Sequence, residues 1–200
     1  NFSNTFSGAV VTPSVTLSSS VTANNTTTFA GGTGVLGLVS IGAGNTLTLN
    51  GAITYTNVAK LIGTSTSNLI IGGTGTIGAS SLFTTGGGAL NNFTMNRSGQ
   101  TILPAVPLTV SGTFSLTNGV VSVAGNTLTL NGPIAFGTGT LTATGPLAIG
   151  GSGTITGSLT GTTSPLALSA LTMNRSGTNL SLGSNVTISG ATGLALTAGN

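Results

Sequence analysis

The eight residues Gly44-Asn45-Thr46-Leu47-Thr48-Leu49-Asn50-Gly51 recur letter for letter at Gly125-Asn126-Thr127-Leu128-Thr129-Leu130-Asn131-Gly132. A perfect octapeptide duplication within 200 residues marks a chain assembled by internal repetition. Such chains fold by stacking small units, each burying its apolar face only against its neighbours. Inside the octapeptide Leu alternates with Thr, the period-two pattern of a strand with one face in the core and the other in solvent. Asn-Gly then supplies a corner. The same alternation returns in Thr140-Leu141-Thr142 and Val186-Thr187-Ile188.

Other motifs keep the same phase. Asn92-Phe93-Thr94-Met95-Asn96-Arg97-Ser98-Gly99 echoes Asn1-Phe2-Ser3-Asn4-Thr5-Phe6-Ser7-Gly8, and its last six letters return unchanged at Thr172-Met173-Asn174-Arg175-Ser176-Gly177. Ile71-Gly72-Gly73-Thr74-Gly75-Thr76-Ile77-Gly78 is matched by Ile149-Gly150-Gly151-Ser152-Gly153-Thr154-Ile155-Thr156, 78 residues on. Ala-Gly-Asn, which introduces both octapeptides, stands again at Ala198-Gly199-Asn200. One array over 1–200 is therefore expected, with large units at 1–91 and 92–169 and a partial third at 170–200. That reading has the array cut from a longer one or continued by another molecule.

The texture within each unit is strand and turn. Asn50-Gly51, Gly72-Gly73, Asn118-Gly119 and Gly150-Gly151 separate the apolar stretches, and their glycines suit corners that need positive φ. A helix has no support, because no 3.6-residue apolar period is sustained and glycine interrupts almost every window. The pattern predicts an all-β fold, a β-solenoid or parallel β-helix of about ten irregular coils with no helices. Turn spacing places the coils at 45–67, 68–90, 91–107, 108–125, 126–145, 146–168, 169–185 and 186–199. At ~4.8 Å per coil this gives a rod on the order of 50 Å long. The rival is an antiparallel β-sandwich, disfavoured by irregular coil lengths, glycine density and the lack of tryptophan.

Charge removes most functional classes. The chain has three basic residues (Lys60, Arg97, Arg175), no acidic residue, no histidine and no cysteine. Its high pI comes from missing acids, and three cations among 200 residues make no basic patch for nucleic acid or a membrane surface. No apolar run is long enough to insert into a bilayer as a helix. Carboxylate pairs, calcium sites and zinc sites all need side chains this sequence lacks. No enzymatic activity, catalytic residue, metal or cofactor is expected.

Four features remain as candidate sites. Arg97 and Arg175 occupy equivalent positions, read either as spaced cations gripping an anionic glycan or a neighbouring filament, or as solvated turn residues copied with their repeat. Lys60 has no repeat partner and is expected at the surface. Gly72-Gly73-Thr74-Gly75 and Gly150-Gly151-Ser152-Gly153 suggest phosphate cradles only superficially, because neither a helix nor a Lys-Ser/Thr follows. Thr-X-Thr pairs at Thr46/Thr48, Thr54/Thr56, Thr64/Thr66, Thr74/Thr76, Thr127/Thr129 and Thr154/Thr156 would bind ice if aligned one per coil on a flat face. Otherwise they are ordinary outward threonines of strands.

The segments Leu90–Gly99 and Leu108–Val121, with the octapeptide, resemble the repeats of large secreted, adhesin-like surface proteins of Bacteroidetes-type bacteria that leave the cell by the type IX route. The resemblance implies architecture and an extracellular or cell-surface location, and brings no catalytic residues. The expected role is a structural segment of a surface fibre or adhesin, whose uncapped coils pair head-to-tail with another copy or with more of the same chain. An ice-binding solenoid is the alternative.

Overall fold

The structure, a computed structural model, describes residues 4–6, 14–30, 37–56, 60–78, 82–191 and 193–198. It is an all-β solenoid of about eight turns, with no helix among the described residues. Every strand pairing is parallel. That excludes the antiparallel sandwich and follows from a chain that returns to each face once per coil.

The longest sheet starts at Val21–Ala23, passes through Thr46–Leu49, Asn68–Ile71, Asn92–Ile102, Phe114–Ala124 and Ile134–Phe136, and ends at Ile155–Thr156. A second sheet of six strands runs from Ala89–Leu90 through Leu108–Val110, Leu128–Leu130, Leu147–Ile149 and Leu171–Asn174 to Leu194–Ala198. Two three-stranded sheets complete the early coils: Asn4–Phe6 with Thr27–Ala30 and Ile53–Thr56, and Ser14–Leu17 with Leu38–Ile41 and Lys60–Ile62.

Alternation decides which side chains face inward, and in-register pairing stacks them. On the long sheet Leu47, Leu69, Phe93, Phe114 and Ile134 form one interior ladder, and Leu49, Ile71, Met95, Leu116 and Phe136 form the next. On the six-stranded sheet Leu90, Val110, Leu130, Ile149 and Met173 do the same. Three rings stack along this core, Phe93 with Phe114 at 5.9 Å and Phe114 with Phe136 at 6.4 Å. Both octapeptides thus place their leucines inside and their threonines outside, as their spelling predicts.

The two octapeptides do not share a face. Thr46–Leu49 lies in the long sheet and Leu128–Leu130 in the six-stranded one. Coils counted along the long sheet measure 22, 24, 21 and 20 residues from Leu47 to Leu69, Phe93, Phe114 and Ile134. Leu128, the octapeptide's equivalent of Leu47, falls six residues short of Ile134, so each sequence unit is one face short of four full coils. This explains the difference between about ten expected coils and about eight. Turn spacing followed the long sheet through 45–67 and 68–90 and the six-stranded sheet from 108 onward, and the short segment 91–107 absorbed the change of face. At ~4.8 Å per coil the stack is about 40 Å long.

Corners need glycine for two reasons. Gly73, Gly119 and Gly151 have positive φ, as expected. Gly51 and Gly132, which close the octapeptides, are not among the positive-φ glycines. They are glycine because a Cβ would overlap the Asn25 carbonyl in one case and the Gly112 carbonyl in the other. Asparagines line these corners outside: Asn50 donates to Asn24 at 2.8 Å, Asn92 to Asn68 at 2.8 Å and Asn118 to Asn96 at 2.8 Å. The first copy of the arginine motif and the expected third opening overlap residues 1–3, 7–8 and 199–200, which lie outside the described residues.

Candidate functional site

Both arginines are interior. Arg97 is 1% exposed and Arg175 2%, which overturns the glycan-gripping reading and the solvated-turn reading alike. With no acidic residue in the chain, each guanidinium is solvated by backbone carbonyls. Arg97 leaves the long sheet two residues after Met95 and turns into the core. Its Nε donates to the Gly72 carbonyl at 2.8 Å and its Nη2 to the Leu49 carbonyl at 2.6 Å. Arg175 donates through Nε to Gly150 O at 2.9 Å, through Nη1 to Gly153 O at 3.3 Å, and through Nη2 to Leu130 O at 3.2 Å and Gly132 O at 2.8 Å.

These acceptors account for the repeat. Leu49 and Leu130 are equivalent octapeptide residues, and Gly72 and Gly150 are equivalent residues of the Ile-Gly-Gly motif. The three duplicated motifs are therefore three consecutive layers of one device. The octapeptide forms the first coil's strand and corner, Ile-Gly-Gly the second, and Thr-Met-Asn-Arg-Ser-Gly the third, from which arginine reaches back through both. We call each such set a clasp. Its motifs recur together because the arginine needs two specific carbonyls from the two preceding coils, and an unmatched carbonyl or guanidinium in a dry core is costly. Gly99 and Gly177, two residues past each arginine, both have left-handed φ near +69°, so the chain leaves each clasp by the same turn.

Burial shifts every titratable group here. Both guanidinium pKa values are lowered by desolvation, Arg97 with a small opposing contribution from Tyr55. Tyr55, the chain's single tyrosine, stacks on Phe29 at 5.6 Å. Burial pushes its phenol well above the ordinary range, with nearby Arg97 pulling the other way. A raised folded pKa means stability is fully present below the unfolded tyrosine value of about 10 and declines as pH rises past it. In an alkaline titration, phenolate absorbance should therefore appear together with loss of β-sheet circular dichroism. In Tyr55→Phe the alkaline transition should move to higher pH.

The other candidates disperse. Lys60 opens Lys60–Ile62 and is half-buried, not fully at the surface, and desolvation lowers its pKa. Thr46/Thr48 lie on the long sheet and Thr129 on the six-stranded sheet, Thr64/Thr66 and Thr74/Thr76 lie outside the named strands, and Thr54 is on a third sheet. The glycines of both Gly-Gly motifs abut the preceding coil, and three of their carbonyls accept from arginine.

Compared with family models, curated proteins and solved structures, the chain finds no match. Sequence reading missed the role of Tyr55 and the interior position of the arginines. A signal for the second was present: the arginine motif keeps the 78-residue spacing of the Ile-Gly-Gly motif, and no acid accompanies either cation.

Proposed function

We propose that this chain is a structural segment of an extracellular or bacterial cell-surface fibre, of the adhesin type its repeats resemble. The observation that carries the reading is a continuous parallel stack whose duplicated motifs are spent on internal clasps. Repetition devoted to holding coils together suits a load-bearing rod. Its outer surface is uncharged: the central outward column of the long sheet runs Thr22, Thr48, Ile70, Thr94, Ser115, Ala135, Thr156. The deciding experiment is electron microscopy of native material with antibody raised against this segment. Label along surface fibres supports the role, and label confined to the cell interior refutes it.

Assembly into longer rods is part of the proposal, through another copy or through further coils of the same chain. In the last described coil Leu182, Leu194 and Leu196 are 51%, 57% and 57% exposed. With Leu171, Met173 and Ile188 they line an apolar cavity of about 230 Å³, a surface shaped to be covered by a next coil. The isolated segment should associate with rising concentration in light scattering, and Leu194→Lys with Leu196→Lys should abolish that. A wild-type segment that stays monomeric at high concentration would refute assembly between copies.

The alternative, ice binding, draws on the same hydroxyl-rich column. Ile70 and Ala135 interrupt it, and the Thr-X-Thr pairs occupy different sheets. A thermal-hysteresis measurement separates the two readings.

A further inference from the structure

The two clasps differ at one corner. Arg175 uses all three side-chain nitrogens, whereas Nη1 of Arg97 is sealed from solvent without a partner. The Tyr55 hydroxyl is likewise sealed and unpartnered, and lies close enough to Arg97 for each to act electrostatically on the other. Ile53-Thr54-Tyr55 corresponds to Ile134-Ala135-Phe136 at the octapeptide's own spacing. A hydroxyl therefore stands at the clasp with the unmatched nitrogen, and a bare ring at the clasp where every nitrogen is matched. Among the described residues only one further buried side-chain polar atom lacks a partner, Oγ1 of Thr27. Thr27 lies on the strand that pairs with Ile53–Thr56.

We infer that the first clasp binds a small monovalent anion of the halide class between Arg97 Nη1 and the Tyr55 hydroxyl. All three unpartnered groups can donate a hydrogen bond, so what they lack is an acceptor. The chain has no carboxylate to supply one, and Arg97 has fewer carbonyl partners than Arg175. A buried cation is stabilised by a counter-charge as well as by hydrogen bonds. A halide accepts from several donors and carries the opposing charge. Water would bring two hydrogens needing acceptors of their own, beside Phe29 and Ile53.

The test is anomalous diffraction from crystals grown in bromide, together with melting curves in chloride or bromide against gluconate at equal ionic strength. A bromide peak is expected within hydrogen-bonding distance of Arg97 Nη1 and Tyr55 Oη. Halide should raise the wild-type melting temperature by a few degrees, and this rise should vanish in Tyr55→Phe, which reproduces the Phe136 arrangement and should still fold. A peak only at the surface, or no peak, overturns the site. So does equal halide sensitivity in wild type and Tyr55→Phe.

Discussion

Replacing Arg175 with methionine should destabilise its coils by about 3–5 kcal/mol. Swapping a complete buried ion pair for apolar residues is often neutral, but here only one side of the interaction is removed. Methionine fills much of the volume, yet the carbonyls of Gly132, Gly150 and Gly153 lose the donor they face. The Leu130 carbonyl keeps its bond from the Gly150 amide. Because a solenoid coil depends on its immediate neighbours, the damage should be local. Amides of Leu128–Leu130 and Leu147–Ile149 should lose hydrogen-exchange protection while those of Thr46–Leu49 keep theirs. Arg97→Met should cost less, roughly 1–3 kcal/mol, because Arg97 engages two carbonyls and carries an unmatched nitrogen of its own. Equal losses at both sites, measured as shifts in denaturation midpoint, would contradict this ranking.

Gly132→Ala should cost about 1–3 kcal/mol, the usual penalty for forcing atoms into a packed site, without any demand on φ. The added Cβ would collide with the Gly112 backbone of the coil below. Backbone cannot rotate aside as the end of a side chain can, so the corner must open, and it carries a carbonyl that Arg175 uses. Gly177→Ala is the informative contrast. Nothing lies within 4 Å of its Cβ, but its φ is +69°, so about 1 kcal/mol of conformational cost is expected. Thermal melts of the two variants separate close packing from backbone conformation.

Fold class was legible because strand alternation and repetition are local in sequence. Leu47, Leu49, Leu128 and Leu130 could be assigned inward from their spacing alone, and Gly73, Gly119 and Gly151 could be given positive φ from their Gly-Gly and Asn-Gly settings. The coil count was less legible. An octapeptide looks identical whether it lies on the long sheet or the six-stranded one, and only hydrogen-bond register distinguishes them. The arginines were misplaced for a different reason. Exposure expectations for a cation assume that burial requires a carboxylate, whereas Arg97 and Arg175 are held by main-chain carbonyls that no side-chain letter announces. Tyr55 was overlooked because its importance depends on a guanidinium 42 residues away in sequence.

Arg97 and Arg175 are the only arginines in the chain, which gives the clasp a direct reporter. In a nitrogen-15 spectrum their two Nε–H groups should appear as two resolved resonances whose exchange with water is slowed about a hundredfold or more, matching local opening free energies of buried structure. Both should lose protection only when the coils they bind unfold. Two overlapping resonances exchanging as fast as those of a free arginine side chain would mean that the guanidinium groups are in solvent and that the repeats are not clasps.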